Sequence, residues 1–388
     1  MKIEPYQIAV DDEEIADLQR RLRATRWPAN WTDPDWSYGV DIAFLKDLCA
    51  YWSEVYDWRK HEARLNQFPQ FQTEIDGATL HFLHVRSVEP AATPLVMTHG
   101  WPGSVVEFTK VLGPLVDPVG HGGRAEDAFH VVCPSIPGYG FSGPTRGPGW
   151  DTRRIARAVA ALMAGLGYER YGAQGGDWGA TIASWLGHLV PERLIGVHLN
   201  MVTVPGSPST KFDDITPDEQ STLDRTARYV AEGAGYGAIQ STKPHTLGYA
   251  LEDSPAGLCA WIVDKFHDWG DHDGSVLDSF TRDELLTDVS IYWFTRTATS
   301  AARLYYEASK AQTSVLRMPA FDVPTGCAIY PAEITRPSLR WAKLRYNVAH
   351  YARLERGGHF AAYEAPDLFV YDVRTFFAKL RRDERLAI

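Results

Sequence analysis

Between residues 94 and 200 short apolar runs alternate with helical stretches, and no other feature constrains this chain as much. PLVMTH (94–99), FHVVCP (129–134), a helix over 151–166, a strand over 170–174, a helix over 179–190 and GVHLN (196–200) follow one another. Parallel strands cannot be joined by a tight turn and need a crossover, usually a helix, so the alternation predicts a mostly parallel central sheet with helices on both faces. The rhythm breaks over 206–315, a stretch rich in helix formers, aromatics and Gly/Pro punctuation with no buried strand, and resumes with VPTGCAIY (323–330), NVAHYARL (347–354) and a helix over 366–381. The interruption reads as a helical lid inserted into an α/β sheet domain.

Ahead of the sheet, the spacing predicts a helix over 11–25, with Asp11 and Glu14 in capping-box positions and Ile15, Leu18 and Leu22 on one stripe, then a second helix over 41–59. FQTEIDGATLHFLHV carries two alternating runs about Asp76-Gly77, a dipeptide that supplies the positive φ angles of a tight hairpin turn, and predicts a hairpin over 69–86. The chain therefore divides into an N-terminal strap and hairpin packed on the core (1–90), a first core half (91–205), the lid (206–315) and a second core half (316–388).

A formal charge of −10 and a pI near 5.7 exclude nucleic acid as a partner, since phosphate binding needs clustered Lys and Arg. Cys49, Cys133, Cys259 and Cys327 are too far apart for a CxxC pair and suggest neither zinc nor a redox motif. The grouping His267, Asp268, Asp271, His272 and Asp273 fits neither an EF-hand nor a zinc pattern and reads as a solvated loop, so no metal and no cofactor are expected. With no apolar run near the ~18 residues a membrane span needs, and no basic start followed by an apolar stretch, the sequence predicts a soluble, cytoplasmic protein. A homodimer is left open.

Gly175-Gly176-Asp177-Trp178-Gly179 follows a short strand and precedes a helix, the spacing of a nucleophile elbow, in which small neighbours let a strained turn push one side chain into a cleft. The nucleophile position holds Asp, and a carboxylate with an ordinary pKa of about 3.9 is ionised at neutral pH without help from a base. Its natural target is an electrophilic sp³ carbon, and attack there leaves an ester that water must hydrolyse. Arg356-Gly357-Gly358-His359-Phe360, just after the last strand, offers the base for that step, and Glu333, just after the 323–330 strand, a carboxylate to orient it. His99-Gly100-Trp101-Pro102-Gly103 sits where backbone N–H groups of Trp101 and Trp178 face the oxyanion of that hydrolysis. Pro137-Gly138-Tyr139-Gly140-Phe141-Ser142 reads as a fold marker rather than a catalyst.

HGWPGS, GGDWG, YPAE and RGGHFAAYE, in that order and behind RLRATRWP and DWRKHEARLNQFPQF, closely resemble the microsomal-type epoxide hydrolases over nearly the whole chain. The resemblance implies an α/β-hydrolase fold with Asp177 as nucleophile, Glu333 as charge-relay acid and His359 as water-activating base, acting on a small-molecule epoxide and water. It further implies two lid tyrosines that hydrogen-bond the epoxide oxygen, at Tyr236 and at Tyr305 rather than its neighbour Tyr306. Unlike the mammalian microsomal members, the sequence starts directly at the strap, which argues against membrane association. Some actinobacterial relatives act in natural-product pathways, so antibiotic biosynthesis joins aromatic-epoxide catabolism and detoxification as roles the resemblance brings. Two other readings share the fold: a haloalkane dehalogenase, which would bind a leaving halide through Trp101 and Trp178, and a ligand-binding protein without turnover, which would be expected to have lost a catalytic side chain.

Overall fold

The computed structural model describes residues 1–29, 35–204 and 211–386. Among them nine strands form one sheet: β1 (Ile3–Pro5), β2 (Gln70–Ile75), β3 (Ala78–Val85), β4 (Thr93–Thr98), β5 (Phe129–Pro134), β6 (Tyr171–Gly175), β7 (Leu194–Leu199), β8 (Phe321–Ile329) and β9 (Tyr346–Arg353). Their spatial order is β1-β2-β3-β5-β4-β6-β7-β8-β9. The first three are antiparallel, β3 meets β5 antiparallel, and every later pairing is parallel. Strand β5 is buried along its whole length, which is why FHVVCP is apolar without alternation: helices cover both faces of the sheet there. The hairpin β2–β3 turns at Asp76 and Gly77, with φ of 53° and 75°, as a tight two-residue loop demands.

Helices α4 (Thr109–Val116) and α15 (Pro366–Leu386) pack Leu112, Phe369, Phe376 and Phe377 against Leu95, Met97 and Val131 on one face. Helices α5 (Thr152–Gly165) and α6 (Asp177–Leu189) pack Ile155, Val159 and Ile182 with Val96 and Val132 on the other. Two short helices, α13 (Leu339–Ala342) and α14 (Ala361–Glu364), flank β9.

Between β7 and β8 the described chain is helical: α7 (Pro217–Arg228), α8 (Gly235–Thr242), α9 (Pro244–Asp253), α10 (Pro255–Trp269), α11 (Arg282–Thr295) and α12 (Ala298–Ala311). The expected start of this lid, 206, lies outside the described residues. Helix α11 is buried almost all round, so it shows no apolar stripe, because it is held between two layers. On one side the strap helices α1 (Asp12–Arg23), α2 (Ile42–Glu54) and α3 (Trp58–Leu65) reach it: Trp52 Nε1 donates to Ser290 Oγ at 3.0 Å and Tyr51 Oη to Asp283 at 2.8 Å. On the other side Tyr292 Oη donates to the carbonyl of Gly103 at 2.8 Å, and Ser104 Oγ to Asp288 at 2.7 Å.

Two local expectations differ from the structure. The helix expected over 41–59 is two helices, because the chain breaks at Val55–Asp57 and Asp57 accepts the Arg59 N–H at 3.0 Å as a new N-cap. The Asp11/Glu14 capping box does not form: the Asp11 side chain makes no cap bond, and Glu14 is drawn away to pair with Arg296 beside the lid at 2.9 Å.

Asp372 of α15 ties the sheet edge internally, accepting from His198 of β7 at 2.9 Å and His350 of β9 at 2.7 Å. Burial alone would raise its carboxyl, but the two histidines outweigh that and hold it at about 2. Because this lies below the ordinary carboxylate value, its stabilisation is complete above the unfolded pKa of about 3.9 and is lost as pH falls through about 2. Replacing Asp372 with Ala strands both imidazoles, and urea unfolding at pH 7 is expected to show a loss of roughly 2–4 kcal/mol that shrinks toward pH 2.

Candidate active site

Asp177 is the first residue of α6 and has a φ of 49°, unusual for a side chain with a Cβ and characteristic of a strained elbow. The turn closes so tightly that a Cβ on Gly179 would lie 1.8 Å from the Thr98 carbonyl oxygen. That packing aims the Asp177 carboxyl at the loop after β4, where the N–H of Trp101 donates to its Oδ1 at 2.8 Å and the N–H of Trp178 also reaches it. Burial pushes the Asp177 carboxyl above its ordinary value, opposed by His359 and by these two N–H groups. The N-terminus of α6 adds a further partial positive charge at the same place.

His359 Nδ1 lies 2.9 Å from Glu333 Oε1, while its Nε2 faces Asp177 Oδ2 at 3.7 Å. Glu333 has no exposed surface and also accepts the N–H of Ile334 at 2.6 Å. Since an ionised carboxylate only accepts, it fixes the proton on Nδ1 and leaves Nε2 to act toward Asp177. Burial disfavours the imidazolium, but Glu333, Asp177 and Glu107 outweigh it and push His359 up to about 9.

The loop carrying His359 is held by groups whose importance the sequence did not reveal. The His359 N–H donates to the Trp269 carbonyl at 3.0 Å, and a Cβ on Gly358 would lie 2.4 Å from that same oxygen, so only glycine permits the approach. Glu364 accepts from Phe360 N–H at 2.8 Å and from Asp271 N–H at 2.6 Å, while Asp271 in turn accepts from Gly357 N–H at 2.6 Å. Asp271, expected as part of a solvated loop, is thus a brace for the histidine loop. Among the described residues no grouping of His, Cys, Asp or Glu could hold a metal ion.

Tyr236 of α8 and Tyr305 of α12 meet with ring centroids 5.8 Å apart, near enough to Asp177 for its charge to act on both. Trp101 stacks on Tyr236 at 4.9 Å, and Trp178 meets Tyr305 edge-on at 4.7 Å. Trp269, at the end of α10, joins the cage by touching Tyr236 at 5.3 Å and His359 at 5.0 Å. Burial pushes both phenols well above their ordinary value, so each keeps its proton, and the two hydroxyls act on each other across the cage. Tyr306, one residue on, lies under Lys310 instead. The PGYGFS loop does more than mark the fold: Tyr139 Oη donates to the Ala301 carbonyl at 3.2 Å and Gly140 N–H to Thr297 at 3.1 Å, seating the helix that carries Tyr305.

Two cavities border this cluster. A small one of about 10 Å³, the size of about one water, is lined by Glu107, Asp177, Asn200 and His359. A larger one of about 660 Å³ is lined by Trp36, Arg225, Tyr229, Lys265 and Trp269 and opens toward solvent.

Residues 3–108 match the family model for the epoxide hydrolase N terminus, and 93–235 that for the alpha/beta hydrolase fold. A provisionally named epoxide hydrolase of Stigmatella aurantiaca is 47% identical over 98% of this chain and 86% of its own length. Epoxide hydrolase 1 of Sus scrofa is 38% identical over 98% of this chain and 89% of its own. The chain belongs to the epoxide hydrolase family. The crystal structure of the juvenile hormone epoxide hydrolase from Bombyx mori superimposes with a TM-score of 0.90 at 30% identity, covering 99% of this epoxide hydrolase and 96% of that chain. The Aspergillus niger epoxide hydrolase does so with a TM-score of 0.86 at 31% identity, over 98% and 97% of the two chains. No helix among the described residues is long and apolar enough to cross a membrane.

The elbow packing of this epoxide hydrolase predicts that Gly179→Ala costs at least about 1–3 kcal/mol in urea unfolding and removes diol formation with it. Gly235→Ala, where an added Cβ meets nothing within 4 Å, is the control and should leave the unfolding midpoint unchanged or slightly raised.

Proposed function

We propose that this enzyme opens an apolar or aryl-substituted epoxide by attack of Asp177 on a ring carbon, giving a covalent ester that water hydrolyses to a vicinal diol. The geometry that carries this reading is His359 Nε2 poised 3.7 Å from the Asp177 carboxyl while its Nδ1 is held by Glu333 at 2.9 Å. Asp177 Oδ2 is the attacking atom, because Oδ1 is engaged by the Trp101 N–H and stays as the ester carbonyl. As the ring C–O bond breaks, the oxygen accepts hydrogen bonds from the phenols of Tyr236 and Tyr305, which burial keeps protonated, and takes one proton from one of them.

Hydrolysis follows from a change in charge. In the resting site Asp177 is one of the carboxylates that raise His359; once it is an ester that charge is gone, and the imidazole shifts toward its neutral form as a base becomes necessary. A water in the small cavity beside Glu107, Asn200 and His359 loses a proton to Nε2 and adds to the ester carbonyl, whose oxyanion meets the N–H groups of Trp101 and Trp178. The intermediate collapses by breaking the bond between the Asp177 carboxyl carbon and the diol oxygen, the proton held on Nε2 passes to that oxygen, and the diol leaves; Asp177 gives up its remaining acid proton and returns to a carboxylate.

The aromatic cage favours an apolar substituent next to the epoxide. The substrate enters from the larger cavity, and its role lies in natural-product biosynthesis or in epoxide detoxification. A halide-releasing reaction draws support from the buried Trp178 Nε1, which lacks a partner, but Trp101 stacks on Tyr236 rather than standing clear beside Asp177.

With an aryl epoxide such as styrene oxide, His359→Gln should accumulate an ester, visible by mass spectrometry on the peptide containing Asp177. Asp177→Asn should show neither adduct nor diol. Chloride release from haloalkanes without any diol from epoxides would reverse the assignment.

A further inference from the structure

Helix α7 runs into a π-helical turn, Tyr229–Gly233, before α8 begins at Gly235. Residues seven apart on a regular helix sit about 10 Å apart along its axis, yet the hydroxyls of Tyr229 and Tyr236 meet at 3.0 Å. The wide turn and the break at Ala234 fold the two phenols together. Such π turns concentrate at functional sites, and this one places Tyr229 on the wall of the 660 Å³ cavity while Tyr236 stacks on Trp101, whose N–H holds Asp177.

We infer that Tyr229 is a positioning residue for ring opening, donating its hydroxyl hydrogen bond to Tyr236 so that Tyr236 directs its own proton at the epoxide oxygen. A hydroxyl has one hydrogen. In the pair alone either oxygen can be donor, but when Tyr236 gives its hydrogen to a substrate only Tyr229 can supply the other bond. Negative charge then grows on the Tyr236 oxygen as the proton moves, and a donor there strengthens through the chain Tyr229 to Tyr236 to epoxide oxygen. The proton passes from Tyr236 to the alkoxide as the Asp177 ester bond forms and the ring C–O bond breaks. Tyr236 recovers, through Tyr229 and water in the larger cavity, the proton that is released when the Asp177 ester is hydrolysed back to a carboxylate. Tyr305 interacts with Tyr236 but has no hydroxyl bond as close as the 3.0 Å one from Tyr229, so the two phenols are not equivalent: Tyr236 is the supported donor.

This inference rests on the reading of Tyr236 as a proton donor, and a double-mutant cycle separates the two. Single-turnover alkylation by styrene oxide is followed by tryptophan fluorescence in the wild type, Tyr229→Phe, Tyr236→Phe and the double variant, with epoxide affinity and ester hydrolysis measured alongside. Tyr229→Phe is expected to slow alkylation about tenfold, the worth of one such hydrogen bond, with affinity and ester hydrolysis unchanged, and to add nothing in the Tyr236→Phe background. If Tyr236→Phe slows alkylation but Tyr229→Phe leaves it unchanged or faster, the inference about Tyr229 is overturned. An equal tenfold loss from Tyr229→Phe in both backgrounds overturns it too, since the residue would then act through packing. If Tyr236→Phe has no effect, the reading of Tyr236 as donor fails instead.

Discussion

The structure depends most on how it places one imidazole among buried carboxylates. Glu333 on one side and Asp177 on the other hold His359 between them at 2.9 and 3.7 Å, in a site from which water is largely excluded. Isolated, each of these charges would be expensive to bury. Together they balance, and on the proposed route the balance changes when Asp177 becomes an ester. On the proposed route the same residues meet two opposite demands: an anion that attacks first, and a neutral base that is needed afterwards.

Everything around this arrangement serves to keep it rigid. The elbow leaves no room for a side chain at Gly179 and aims Asp177 at the Trp101 N–H. The histidine loop is fastened at three backbone positions by Trp269, Glu364 and Asp271. Above them the lid is pinned to the core through Tyr292 and Ser104 and to the strap through Tyr51 and Trp52. Through these two bonds the strap covers the outer side of α11, whose other side is tied to the loop after β4.

Much of this was legible in the sequence where the requirement is local. A strand must be followed by small residues if the turn after it is to be strained, so GGDWG announced its own geometry, and Asp76-Gly77 its hairpin. The strand and helix rhythm likewise predicted the parallel sheet. What escaped the reading acts across space through backbone atoms. Glu364 and Asp271 are separated by 93 residues but joined by a 2.6 Å bond; Glu364 closes the RGGHFAAYE run and Asp271 lies in the grouping read as a solvated loop, and neither pattern reveals the pairing. Trp269 and Glu107 belong to none of the motifs in the sequence, and only the fold brings them beside His359. Tyr229 is one of 18 tyrosines, and only the π turn brings it to Tyr236. The lost capping box at Asp11 has the same cause: Arg296, far along the chain, competes for Glu14 and wins.

The most direct test of the covalent route uses enzyme in excess over epoxide, mixed in water labelled with oxygen-18. If Asp177 supplies the first oxygen, the diol from a single turnover carries no label, and the label is found in the peptide that contains Asp177. A diol labelled in that first turnover, with the peptide unlabelled, would mean that water attacks the epoxide directly and that no ester forms.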